Sequence, residues 1–177
     1  IGISQAAPGV VWAVNSLPDV PLCSIGLVTP LGFTKHVFGP SDETRIRELK
    51  KRAAKSLLQR NQFPFASLRN LYVFLIITRA RFLEPENGAS DRKYAEGLSH
   101  DITGECVQIM AKRPGVRFSV VLGERDTLFP PSEVLDSLKD ARLGAIKVSV
   151  IPGMTHASFA SNHHKELLQK IIAIIHA

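Results

Sequence analysis

The chain has 177 residues, 45% of them hydrophobic, with a net charge of +6 and a mean hydropathy of +0.07. These values describe one globular core and exclude a disordered chain. The longest apolar run, LYVFLII at 71–77, falls far short of the roughly 18 residues a membrane span needs. The N-terminal stretch has no Met, no basic segment and no leader pattern, so the sequence reads as beginning inside a larger protein.

In chain order, Gly2-Ile3-Ser4-Gln5-Ala6 is a serine between small residues, followed by a helix-capable run over 5–16 that Pro18 and Asp19 break. Ser4 has an ordinary reading as a helix cap, since its hydroxyl accepts an orphan amide of a first turn. Pro8 falls near the fourth helical position, where it removes a donor and crowds the Ser4 carbonyl. VPLCSIGLVTP at 20–30 has the composition of a buried parallel strand. The next helix opens with Ser41 as cap and with Asp42 and Glu43 in its first turn, where the dipole favours them. Residues 35–60 hold eight Lys and Arg, Arg52 among them, against three acids. Ile46, Leu49, Ala53 and Leu57 recur at steps of three and four, which gives one buried helical face with a solvated basic back. With no interleaved aromatics and no binding motif, nucleic acid is not the expected partner. Further helices are predicted over 67–83 and 91–112, up to the break at Pro114-Gly115.

Beyond that break the pattern changes. VRFSVVLGERD at 116–126 is a strand and turn, 131–142 an amphipathic helix, 145–153 a strand, and 162–177 a closing helix with Leu167, Leu168, Ile171, Ile172 and Ile175 near one face. Strands joined by crossover helices predict an α/β fold with a parallel sheet covered on both sides. Cys23 and Cys106 sit in apolar runs and read as buried free thiols, which suits a reducing, cytoplasmic setting.

Active groups of such sheets gather beyond the carboxyl ends of the strands. Three candidates stand there: Ser4 after Ile1-Gly2-Ile3, Asp126 after SVVLGER, and His156 after VSVIPGMT. A serine hydroxyl needs an imidazole to take its proton, and the imidazole needs a carboxylate to fix its tautomer. Glu124 is the neighbouring alternative to Asp126. His36, His100, His163, His164 and His176 compete with His156, the first two from the middle segment and the next two from a polar helix face. A metal site is conceivable with six histidines, but no H-x-x-x-H or C-x-x-C pair is present.

The chain resembles the C-terminal part of an α/β-hydrolase. GISQA resembles the nucleophile elbow of that family, LGERDTLFPP the turn that carries its acid, and IPGMTHASF the loop that carries its histidine, in the family's order of nucleophile, acid and histidine. Ala6 stands where the family more often has Gly. The resemblance implies residues 1–34 and 116–177 as hydrolase core, 35–115 as a helical cap, and a missing N-terminal half. That half, or a second copy at the open sheet edge, is the expected partner. It also implies a serine hydrolase acting on a small carboxylic ester or related acyl substrate, with no metal or other cofactor. Its catalytic residues would be Ser4, Asp126 and His156, with the Gln5 amide as half of the oxyanion hole and Phe33, Phe74, Phe129 and Met154 near the acyl pocket. The rival readings are a thioester, lactone or carbon–carbon bond hydrolase on the same triad, and a non-catalytic interaction module that kept the fold.

Overall fold

A computed structural model describes residues 1–4, 6–17, 19–33, 38–58, 99–156 and 164–176. Four strands, β1 (Gly2–Ile3), β2 (Ser24–Val28), β3 (Arg117–Gly123) and β4 (Lys147–Ile151), form one sheet in chain order. Every pairing is parallel, with Ile3 beside Val28, Val28 beside Val121, and Val121 beside Ser149. The described helices are α1 (Ala6–Ser16), α2 (Asp42–Leu58), α3 (Thr103–Lys112), α4 (Pro131–Asp140) and α5 (His164–His176).

Strand alternation sorts the core into two layers, because successive side chains leave opposite faces of the sheet. Ile25, Leu27, Phe118, Val120 and Leu122 pack on Ala7 and Val11 of α1, Cys106 and Ile109 of α3, and Val134 and Leu138 of α4. Val28, Val121 and Ile151 face Ile171 and Ile175 of α5. A Cβ at Gly26 would lie 2.3 Å from Ile175 Cδ1, so the bare glycine lets α5 sit close on β2. Of the apolar set read on α5, Ile171 and Ile175 enter this core, while Leu168 and Ile172 remain 39% and 38% exposed.

The turn into α2 closes as a reciprocal cap. The Thr44 amide donates to Ser41 Oγ at 3.3 Å and the Ser41 amide to Thr44 Oγ1 at 3.1 Å. Three local expectations change. Helix α1 starts at Ala6, so Pro8 lies in the first turn, where amides have no intrahelical acceptor; the Ser4 carbonyl takes bonds from the Ala7 and Leu31 amides instead. Cys106 is buried but Cys23 is exposed, because it lies just before β2 enters the sheet. Arg52 is not on a solvated back: its side chain is 11% exposed and paired to acids on two helices. Of the span read as the cap, 35–115, residues 35–37 and 59–98, including Phe74 and the helix predicted over 67–83, lie outside the described residues. Helix α3 falls within that span and packs against α1 in the sheet's own core layer.

Candidate active site

The parallel sheet brings the carboxyl ends of β1, β3 and β4 to one rim, and each end carries one of the three candidates. Ser4 follows β1 directly, with φ at +50°. That left-handed backbone costs a residue with a Cβ about 1–3 kcal/mol, and it persists only where the surroundings fix it. They do so here. The Ser4 amide donates to the Val28 carbonyl at 2.9 Å, and the Ser4 carbonyl accepts the Ala7 and Leu31 amides at 3.2 and 3.1 Å. The sharp strand-to-helix reversal folds β1 against the start of α1, and a Cβ at Gly2 would stand 2.8 Å from Ala7 Cα. The small residue that the turn presses on Gly2 is therefore Ala7 as much as Ala6.

His156 sits five residues beyond β4. Its loop is tied to the end of β3: the Arg125 amide donates to the Met154 carbonyl at 2.9 Å and the Glu124 amide to the Ile151 carbonyl at 3.1 Å. Ser4 Oγ lies 3.0 Å from His156 Nε2, and His156 Nδ1 lies 2.9 Å from Asp126 Oδ2. With Nδ1–H donating to the carboxylate, Nε2 is left as the acceptor for the serine O–H. The Asp126 side chain is fully buried, and its other oxygen, Oδ1, accepts the Leu128 and Phe129 amides at 2.8 and 2.9 Å. Both carboxylate oxygens are thus engaged, one by the imidazole and one by the turn that follows. Glu124, the alternative acid, points elsewhere: its exposed carboxylate accepts the Gly153 amide at 2.8 Å. His100 pairs instead with Glu105, at 3.4 Å.

The remaining site candidates divide. Gln5 lies outside the described residues. Phe33, Phe129 and Met154 are only 2–3% exposed. Phe129 also meets the imidazole of His156 edge to face, with 5.2 Å between ring centroids. Among the described residues no group of three or more His, Cys, Asp and Glu side chains is arranged to hold a metal ion, and no helix is long and apolar enough to cross a membrane.

A layer behind the acid leaves almost no mark in the sequence. Arg52 of α2 donates from Nη1 and Nη2 to the two Glu133 carboxylate oxygens at 2.7 and 3.0 Å, from Nε to Glu48 at 3.0 Å, and from Nη1 to the Leu128 carbonyl at 3.3 Å. Burial works against its charge, and the bonds to Glu133 and Glu48 outweigh that, holding its pKa above the ordinary arginine value. The spacing of Glu48 and Arg52, four apart on a helix, was the one signal of this group in the sequence.

The sequence matches no family model and no curated protein. The fold does match solved structures. An α/β-hydrolase enzyme from a Medee basin deep-sea metagenome library superposes with a TM-score of 0.56 at 15% identity, over 99% of this chain and 64% of that one. Rv0554 from Mycobacterium tuberculosis gives 0.57 at 14%, over 99% and 65%. A bromoperoxidase from Bacillus anthracis gives 0.52 at 14%, over 99% and 66%. The chain therefore spans about two thirds of the length of these proteins. Four parallel strands, helices on both faces and structural likeness along nearly its whole length give this chain the α/β-hydrolase fold.

Proposed function

We propose that the protein is a serine hydrolase that cleaves a small carboxylic ester, or a related acyl substrate, through an acyl-enzyme. The observation that carries this reading is the unbroken chain of contacts from Ser4 Oγ to His156 Nε2 at 3.0 Å and from His156 Nδ1 to Asp126 Oδ2 at 2.9 Å. It is reinforced by the left-handed backbone of Ser4, a conformation that holds the hydroxyl out at the turn.

In this reading Ser4 Oγ attacks the acyl carbon while His156 Nε2 takes the serine proton. His156 returns that proton to the leaving alcohol as the tetrahedral intermediate collapses. Water, deprotonated by the same nitrogen, then releases the acid and restores Ser4. Asp126 stays ionised, held by two backbone amides, and steadies the imidazolium. The Gln5 amide follows the nucleophile in sequence and supplies one oxyanion donor. The second donor and most of the substrate's surroundings belong to parts of the protein beyond this chain's described residues. The same parts are the proposed partner of the sheet edge at β1, which pairs only with β2 among the described residues. Phe129, packed on the imidazole, forms an apolar wall beside the reacting atoms.

The test is hydrolysis of short-chain p-nitrophenyl esters by the full-length protein, with Ser4→Ala and Asp126→Asn. Ser4→Ala is expected to abolish turnover, and Asp126→Asn to lower kcat by about four orders of magnitude. Turnover unchanged by Ser4→Ala defeats the assignment.

A further inference from the structure

Two separate routes lead from Arg52 to the Asp126–His156 pair. The first runs through the backbone. Arg52 Nη1 donates to the Leu128 carbonyl at 3.3 Å, and both terminal nitrogens grip Glu133, at 2.7 and 3.0 Å, in the first turn of α4. Residues 126–131 are the short turn that leads from the acid into α4, and the Leu128 carbonyl lies within it. Its Leu128 and Phe129 amides donate to Asp126 Oδ1, and the Glu133 amide closes back on the Pro130 carbonyl at 3.1 Å. The second route runs through rings. The guanidinium lies 4.7 Å above the centroid of Phe38, Phe38 meets Phe129 at 5.9 Å, and Phe129 meets His156 at 5.2 Å.

A planar fork with five donors suits this place. It fills a carboxylate bidentately, bonds a carbonyl and presents its face to an aromatic ring, which an ammonium does not do. Glu48, one helical turn back, takes the remaining Nε at 3.0 Å and fixes the fork on α2. The assembly is partly buried, with the side chains of Arg52, Glu133 and Glu48 11%, 25% and 29% exposed, so water screens it only in part.

We propose that Arg52, locked by Glu48 and Glu133, is a positioning residue that ties α2 to the turn carrying Asp126 and so holds the Asp126–His156 pair in register with Ser4. The proposal rests on the serine hydrolase reading above. Arg52 touches no reacting atom. It acts through the Leu128 carbonyl, which fixes the turn whose amides hold Oδ1, and through Phe38 and Phe129, which back the imidazole.

The experiment compares Arg52→Gln, Glu133→Gln and the double variant with the unaltered full-length protein. It measures kcat and KM on a short-chain ester, the thermal melting temperature, and the low-field proton NMR signal of the His156 Nδ1–H bonded to Asp126. Arg52→Gln is expected to lower kcat by 10- to 100-fold, with KM within about threefold, since misplacing catalytic groups by about an ångström costs on that order. The double variant is expected to be no worse than the poorer single one, and the low-field signal to broaden in all three. Arg52→Lys, which keeps charge but not the fork, is expected to recover less than half of the lost kcat. Two results overturn the proposal: kcat within twofold of the unaltered protein in a folded Arg52→Gln variant, or losses that add in the double variant with KM rising in parallel. Should Arg52→Gln fail to fold, Glu133→Gln decides, and an unchanged kcat and signal there overturn the proposal. Ester turnover surviving Ser4→Ala identifies failure of the hydrolase reading instead, and the NMR signal then decides the positioning claim alone.

Discussion

Gly123→Ala is a small change at the point where the end of β3 meets the loop that carries His156. Gly123 ends β3, and a Cβ there would lie 2.5 Å from the Met154 carbonyl oxygen, 3.0 Å from its carbon and 3.1 Å from Met154 Cγ. Oxygen and carbon that do not bond settle near 3.5 Å, so the loop carbonyl must retreat by about 1 Å. That carbonyl accepts the Arg125 amide at 2.9 Å, and a retreat of that size ends the bond. His156 lies two residues further on, so the loop moves it away from Ser4 Oγ, now at 3.0 Å. The expected loss is about 100-fold in kcat, equivalent to about 2.7 kcal/mol in the barrier. Overpacking adds a stability cost of about 1–3 kcal/mol. Ester kinetics on the full-length variant, beside a melting curve, read both. A variant that melts lower but keeps kcat within about threefold would show that the Met154 loop does not set the position of His156, and the reasoning would fall.

Gly2→Ala meets only backbone, 2.8 Å from Ala7 Cα and 3.2 Å from the Ala7 nitrogen, and is expected to destabilise by about 1–3 kcal/mol, read by chemical denaturation; a loss below about half a kilocalorie contradicts the tight turn. The two thiols are expected to separate under Ellman's reagent in the native state, Cys23 reacting at once and Cys106 only on unfolding, since burial pushes the Cys106 thiol up to about 12. Glu48 is held below its ordinary value of 4.5, first by its hydrogen bond to Arg52. A depressed folded-state carboxyl contributes stability that is present above the unfolded value and lost as pH falls through the folded one. Acid titration of stability is therefore expected to show a smaller loss below about pH 4.5 in Glu48→Gln than in the unaltered protein, and identical curves contradict the pairing.

The sheet was legible in the sequence because its strands are short apolar runs bounded by turns, and the boundaries of β2, β3 and β4 fall inside the runs read at 20–30, 116–126 and 145–153. The rim was legible for the same reason: once the strands are parallel, the residues just past Ile3, Gly123 and Ile151 share one side. What the pattern concealed depends on contacts far apart in the chain. Arg52 stands among seven other cations between 35 and 60, and its burial follows from Glu133, 81 residues away. Local periodicity carries no trace of such a partner. Cys23 shows the converse limit. Its run is apolar, yet the strand begins one residue later, so the thiol stays outside the sheet. Phe33 and Met154 were apolar and close to the rim in sequence, and both are buried, but which buried apolar side chains border a pocket depends on tertiary neighbours that the sequence pattern does not name.

The central claim is that His156, oriented by Asp126, makes the Ser4 hydroxyl a nucleophile. Covalent labelling tests it without knowledge of the substrate. The folded full-length protein is treated with a fluorophosphonate, digested, and the adduct located by mass spectrometry. One phosphonyl group is expected on the peptide carrying Ser4, formed rapidly in the unaltered protein and at least 100-fold more slowly in His156→Ala. An adduct on another residue, no adduct at all, or labelling of Ser4 at the same rate without His156 would contradict the claim.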